Sequence, residues 1–446
     1  MIYKVLSIIL LGLHTFVYAQ NPIVPNVGLN DPHIHIFNDT AYVYASHDKS
    51  INNDKFIMED WWVWSSPDLV NWKERSRLNP ADTYIGQNFQ RCWATDVCFK
   101  DGKYYWYFSE GNERTGVVVG NSPTGPWRDP LKKPLLNSNL TPTHEYDISI
   151  FEENGDHYII FGVWDYYIAR LNEDMISLAE KPKRIEIRSP RGPYNRAGTN
   201  AEMPTDDKPF MHYYNGKYYL SWGCFYAMSD NLYGPYNYID SVIKEYSFAK
   251  GYSEPTWPNG FLQGRHGSYF EWHNQWYFAY CDISQTGNRY FRDTFISYVH
   301  YRDNGEIEVI RVDGTGVGQY NADNGYIEAE DYYLAENVDK IENPIGGFSV
   351  QASNEGGFLV YPNIQNLKSK SSIEFEFVSN TKTEIELREN SKDGRLIRTC
   401  QFTGNKTKAF RKEAFPIENI ENGLKLCIVF KNNSFNDLKI NRFQFK

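Results

Sequence analysis

The 446-residue chain is short of cysteine and methionine, with six of each, and no two cysteines form a CxxC pair. That spacing excludes a zinc ribbon or a thioredoxin-like redox motif. Long basic runs are missing and the formal charge is -10, which argues against nucleic acid or an anionic membrane surface as partner. Apolar runs of membrane-spanning length are missing too, so membrane insertion is not expected. Amphipathic windows of helical period are scarce, which makes an α-solenoid a poor description. Tryptophan does not recur after Trp276.

The N-terminus has the composition of an export signal. Lys4 supplies a positive start, Val5 to Val17 is largely apolar, and Val17-Tyr18-Ala19 resembles a cleavage site. Residues 1–19 are therefore set apart as a signal peptide, cleaved near Ala19 and leaving a periplasmic or secreted chain. Export permits disulfides, and Cys400 with Cys427 is one candidate pair. Buried free thiols are the alternative.

What the chain has in quantity is aromatic residues: 34 Tyr, 27 Phe and 12 Trp. Many fall in a recurring strand introduced by a turn: NDTAYVYAS (38–46), DGKYYWYFS (101–109), NGDHYIIFG (154–162), NGKYYLSWG (215–223) and HNQWYFAYC (273–281). Asp-Gly and Asn-Gly suit the positive-φ positions of a tight hairpin. Taking Tyr42, Tyr105, Tyr158, Tyr219 and Tyr277 as equivalent, the spacings are 63, 53, 61 and 58 residues. Each period accommodates about four short strands, the content of one propeller blade. The fold class is all-β: a five-bladed β-propeller over 20–318, a linker at 319–324 (QYNADN), and a small jelly-roll-like β-sandwich over 325–446. Short alternating runs such as GGFLVYPNI, SSIEFEFV and LKLCIVF carry the second assignment.

Polar residues precede each repeat strand. Asp31, Asp147 and His266 each lie 11 residues before their tyrosines, Asp96 lies 9 before Tyr105, and Glu202 lies 17 before Tyr219. Equivalent positions of successive blades converge on the propeller axis, so these groups should meet. A single Asp at a strand start reads as a turn residue. Several in register read as a site, because carboxylates gathered in one funnel are costly unless paired, hydrated or used. Paired carboxyl groups in unlike environments are what glycosidic hydrolysis requires. Asp206 and Asp207 lie near enough to Glu202 to be rival proton donors. His33 and His35 share one face of a strand but bring no third ligand in the same stretch, so they read as packed or surface histidines before a metal pair.

Five motifs together resemble glycoside hydrolase family 43. They are Asn30-Asp31-Pro32, Trp93-Ala94-Thr95-Asp96-Val97, Tyr146-Asp147-Ile148-Ser149-Ile150-Phe151, Ala201-Glu202-Met203-Pro204, and Gly264-Arg265-His266-Gly267. The resemblance implies an inverting enzyme acting on arabinose-, xylose- or galactose-containing glycans, with an oligo- or polysaccharide as partner and no cofactor in the chemistry. It assigns Asp31 as general base, Asp147 as the residue that tunes and orients the acid, and Glu202 as general acid. Arg292 would reach the terminal sugar, and His266 would line the channel beside an ion or water cluster. Trp93 and Asp96 complete the expected substrate-binding set. Ile148 and Met203 depart from the family's usual residues at those positions and bear on subsite shape. Tyr326 to Tyr332 (YIEAEDY) and Asn441 to Phe445 (NRFQF) are similar to the ends of family 6 carbohydrate-binding modules, which implies a structural Ca²⁺ near Glu328 and Glu330. The chain is expected to be monomeric.

Overall fold

The computed structural model describes residues 21–189, 205–249, 252, 266–343, 347–405, 409–431 and 434–446. Residues 1–19, expected to be a signal peptide, and Glu202 lie outside them. No helix among the described residues is long and apolar enough to cross a membrane.

Five antiparallel sheets follow one another along the chain. The first holds β1 (Leu29–Phe37), β2 (Thr40–Asp48), β3 (Met58–Ser66) and β4 (Lys73–Leu78). The second holds β5 (Cys92–Lys100), β6 (Lys103–Glu110) and β7 (Arg114–Gly120). The third holds β8 (Ser149–Glu153), β9 (Asp156–Phe161), β10 (Tyr167–Arg170) and β11 (Lys183–Arg184). The fourth holds β12 (Ile187–Arg188), β13 (Pro209–Tyr214), β14 (Lys217–Trp222), β15 (Phe225–Ser229) and β16 (Tyr236–Ser241), and its short β12 runs parallel to β16. The fifth holds β17 (Gly267–Trp272), β18 (Gln275–Asp282) and β19 (Asp293–Val299).

These are the blades of a five-bladed propeller. Their first strands β1, β5, β8, β13 and β17 touch in a closed ring. The repeat tyrosines sit on the second strands, and each pairs with the residue seven positions before it: His35, Cys98, Phe151, His212 and Phe270. The hairpin between first and second strand has two residues at positive φ in every blade: Asn38-Asp39, Asp101-Gly102, Asn154-Gly155, Asn215-Gly216 and His273-Asn274. Such turns match the right-handed twist of the strands they join, so one turn chemistry repeated five times sets one register five times.

The second strands differ from strict alternation. In β6, Tyr104 through Ser109 are all buried, because a blade is covered on both faces by its neighbours. The ring is closed by the N-terminal segment: the Asn21 side chain donates to Ile296 O (3.0 Å) and accepts from Ile296 N (2.8 Å), and Ile23 N donates to Thr294 O (2.9 Å).

The C-terminal unit is a two-sheet sandwich. Its strands are β20 (Tyr320–Asn321), β21 (Ile327–Glu328), β22 (Leu334–Glu336), β23 (Val338–Glu342), β24 (Phe348–Ala352), β25 (Phe358–Gln365), β26 (Ser372–Val378), β27 (Thr383–Glu389), β28 (Leu396–Phe402), β29 (Arg411–Pro416), β30 (Leu424–Phe430) and β31 (Lys439–Phe445). One sheet runs β20-β25-β30-β27-β28 and the other β23-β24-β31-β26-β29. Tyr320 and Asn321, within the stretch read as linker, pair with β25 and so belong to the sandwich. A shared core of Tyr277, Tyr298, Tyr320, Tyr332 and Tyr361 joins the sandwich to the propeller. Polar ties reinforce it: Tyr332 OH donates to Glu308 (2.8 Å) and His300 Nε2 to Tyr333 O (3.0 Å). All six cysteines are buried and none forms a disulfide. Cys400 on β28 and Cys427 on β30 are separated by β27, about 9–10 Å at ordinary strand spacing, beyond disulfide reach.

Candidate active site

The site is assembled at the entrance ends of the ring of first strands. Asp31 and Asp147 both adopt left-handed backbone, φ 47° and 55°, which Asp tolerates better than most residues. Both are buried, at 4% and 3% exposure.

Asp31 is surrounded by donors. Arg292 Nη1 and His266 Nδ1 each donate to its Oδ1 at 3.1 Å, and Ser46 Oγ donates to its Oδ2 at 2.6 Å. Its own N–H meets Cys281 Sγ at 3.0 Å. Burial alone would raise this carboxyl, but the charge of Arg292 and the donation from His266 hold it well below the usual carboxylate range. Asp31 is an anion.

Asp147 has the opposite surroundings. Its N–H donates to Ser109 Oγ (3.0 Å), which fixes the turn, while the carboxyl shares a pocket with Asp207 and His266. Burial, then the like charges of Asp207 and Asp31, push its pKa well above the usual value, against the pull of His266 and Lys208. The surroundings thus favour the neutral carboxyl at Asp147 and the carboxylate at Asp31.

His266 bridges the two. Its Nε2 lies 2.6 Å from Asp207 Oδ1 while Nδ1 faces Asp31. Burial would lower it, yet Asp207 and Asp31 raise it well above the ordinary histidine value. Both ring nitrogens face carboxyl groups, which favours the imidazolium form. Asp206, by contrast, acts through its backbone, accepting from Tyr166 OH (2.7 Å) and Trp164 N (3.1 Å).

Arg292 is itself clamped. Its Nε and Nη2 donate to Asp48 at 3.0 and 3.1 Å, which aims Nη1 at Asp31. Burial raises Asp48 to about 6, moderated by Arg292. Phe56 lies under the guanidinium, 4.9 Å from ring centre to Cζ, and meets Trp93 and Tyr290 edge-on at 6.1 and 4.9 Å. Trp93, half-buried, thus belongs to an aromatic wall beside Arg292. Asp48, Ser46, Phe56 and Cys281 were not singled out from sequence. Ser46 and Cys281 close two of the repeat strands, four residues after Tyr42 and Tyr277, whereas Asp48 and Phe56 lie outside the repeats, and Asp48 meets Arg292 across 244 positions.

Asp96 departs from the expectation of a sugar contact. It is fully buried, with Oδ1 2.6 Å from both His33 Nδ1 and His35 Nε2, and Oδ2 accepting from Ile150 N at 2.6 Å. Those contacts hold it below the usual carboxylate range despite burial, whereas burial lowers His33 to about 4. The third partner for the two histidines thus comes from the neighbouring blade. Lys208 Nζ rests against His33 Nε2. An ammonium only donates, and a Lys208 cation there favours the His33 tautomer with its proton on Nδ1, toward Asp96.

At the domain junction, Arg311 lies 2.9 Å from Glu330, 3.0 Å from Asp313 and 3.7 Å from Glu328. The guanidinium thus supplies cationic charge beside Glu328 and Glu330. Burial, partly offset by Arg311, raises Glu330 to about 7. Glu330 Oε2 and Asp331 Oδ2 remain buried without a hydrogen-bond partner among the described residues, an oxygen-donor set that fits a hard cation.

Comparison with known proteins gives the same class. The family model "Glycosyl hydrolases family 43" matches residues 19–307. A xylosidase/arabinosidase of Bacteroides ovatus is 28% identical over 337 residues, covering 65% of this chain and 96% of its own. An arabinoxylan arabinofuranohydrolase of Paenibacillus polymyxa is 24% identical, covering 96% of this chain and 74% of its own. Among solved structures, a β-xylosidase/α-arabinofuranosidase from a compost microbial metagenome is 26% identical with TM-score 0.53, covering 66% of this chain and 97% of its own. The propeller, its converging carboxyl groups and a family model spanning well over half the sequence agree: the chain belongs to glycosyl hydrolase family 43.

Proposed function

We propose that the chain is an exo-acting, inverting glycoside hydrolase that releases a terminal sugar from plant-type glycans, α-L-arabinofuranose before β-xylose or β-galactose. The observation that carries this reading is the unlike surroundings of Asp31 and Asp147, two buried carboxyl groups at equivalent positions of two blades, with Arg292, His266 and Ser46 donating to one and Asp207 crowding the other. Asp31, ionised and held by Arg292, His266 and Ser46, serves as the base that takes a proton from the attacking water. Glu202 serves as the acid that protonates the leaving oxygen. The acid-rich, dry surroundings that keep Asp147 protonated would raise any carboxyl placed beside it, which is what a proton donor at neutral pH needs. Inversion calls for roughly 6.5–9.5 Å between the Asp31 and Glu202 carboxyl groups.

The relatives named for xylosidase, arabinosidase and arabinoxylan arabinofuranohydrolase activity support arabinose- and xylose-bearing substrates. The N-terminal signal supports export. A panel of aryl glycosides, with NMR of the first-formed anomer, tests the reading. Release of arabinose with inverted configuration supports it, and a retained anomer contradicts the assigned roles. Glycan binding without release of arabinose, xylose or galactose leaves a non-catalytic propeller instead.

A further inference from the structure

Counting back from the repeat tyrosines reaches a residue the carboxylate pattern passes over. Lys208 lies 11 residues before Tyr219, the offset that Asp31, Asp147 and His266 have from their own tyrosines. Because every repeat tyrosine pairs with the residue seven before it, this position is equivalent in all five blades: Asp31, Ala94, Asp147, Lys208 and His266. Lys208 also shares the left-handed backbone of the two aspartates, φ 58° against 47° and 55°. For a lysine followed by proline, that conformation is unfavourable by itself, so the surroundings impose it.

The side chain is fully buried. Its Nζ rests against His33 Nε2 and lies 3.5 Å from Ile148 O, the carbonyl one residue past Asp147. His33 Nδ1 in turn lies 2.6 Å from Asp96 Oδ1, off the line of an ideal hydrogen bond, so the attraction there is mainly electrostatic. The result is a buried chain of charge across three blades: Asp96 anion, neutral His33, Lys208 cation. Burial lowers the Lys208 pKa, and the charges of Asp96, then Asp147, Asp31 and Cys281, pull it back toward the cation. A buried lysine is costly unless something compensates it. Asp96 supplies that compensation from one side and the carboxyl groups of the catalytic ring from the other.

Resting on the hydrolase reading above, we propose that Lys208 is a positioning residue of the reaction. Its cation, anchored through His33 to Asp96, offsets the negative charge of Asp31 and holds the turn that carries Asp147. It touches no substrate and acts through those carboxyl groups.

The test compares pH profiles of kcat and KM for wild type, Lys208→Met and Asp96→Asn on an aryl glycoside that the wild type turns over. Losing the cation should shift both limbs of the Lys208→Met profile to higher pH, by about one unit or more, with kcat falling further than KM changes. Losing the anion should move both limbs of the Asp96→Asn profile to lower pH. Opposite directions are the discriminating result, since general loosening of the ring would not reverse sign. Unchanged limbs in Lys208→Met, or shifts of the same sign in both variants, overturn the proposal. Should Lys208→Met fail to fold, Asp96→Asn decides, and limbs that do not move overturn it. A wild type that hydrolyses nothing removes the functional reading, whereas an active wild type with an indifferent Lys208→Met removes the role of Lys208 alone.

Discussion

Replacing Arg292 with Met removes the guanidinium that faces Asp31 at 3.1 Å and Asp48 at 3.0 Å. Met retains most of the apolar stem, so charge is the main loss. An opposite charge at this range lowers a carboxyl by about 1–3 units, each worth about 1.4 kcal/mol. The acidic limb of kcat/KM, which reports ionisation of the base, should therefore rise by about 1–3 pH units. Stability should respond as well, because leaving a buried charge without its partner costs about 3–5 kcal/mol.

The pH dependence has a definite sign. In wild type, the depressed Asp31 contributes stability that is present above its unfolded pKa of about 3.9 and lost as pH falls toward the folded value. In Arg292→Met, Asp48, raised by burial to about 6 already, rises further without its counter-charge, whereas Asp31 keeps His266 and Ser46. The Asp48 contribution is unfavourable at neutral pH and is relieved as the pH falls and it takes up a proton. The Tm gap between wild type and variant should narrow from pH 7 to pH 5. An unmoved acidic limb together with a Tm gap that ignores pH would refute the assignment of Asp31 as an ionised base set by Arg292.

Other outcomes follow from the same geometry. Glu202→Gln should lose most activity on poor leaving groups and far less on activated aryl glycosides, which need little proton donation, while Asp31→Asn loses both. If Asp207→Asn gives the leaving-group pattern instead, Asp207 is the acid. With Glu328 and Glu330 as calcium ligands, adding calcium raises Tm and Glu330→Gln removes the gain; equal Tm with and without calcium leaves Arg311 as the cluster's counter-charge. Gly267→Ala would place a Cβ 1.9 Å from Ala279 O, next to His266. It should lower stability by about 3 kcal/mol or more in chemical denaturation, since backbone cannot yield as a side chain does.

The blade repeat was legible because it is local chemistry. A two-residue turn with positive φ and a tyrosine at constant offset are written in neighbouring residues, so Asp31, Asp147 and His266 could be matched without coordinates. The same count leads to Lys208, but a lysine among carboxylates gives no reason to stop there until its burial and its contact with His33 are seen. Asp48 had no such signal, since its partner Arg292 lies in the last blade and they meet only when the ring closes. Asp96 looked like a sugar ligand because it stands in the motif, yet the strand alternation that sets it against His33 and His35 buries it. The Tyr320–Asn321 strand was hidden for another reason: two residues pairing with a distant edge leave no periodicity to read.

Sequence by itself determined the all-β class, the number of blades and the level at which polar residues meet the axis, because turn type and register are short-range properties. Tertiary structure alone decided which of those residues are charged. Asp31 and Asp147 share residue type, offset and backbone conformation. Only the groups brought beside them from other blades, Arg292 against Asp31 and Asp207 against Asp147, favour the anion at one and the neutral acid at the other.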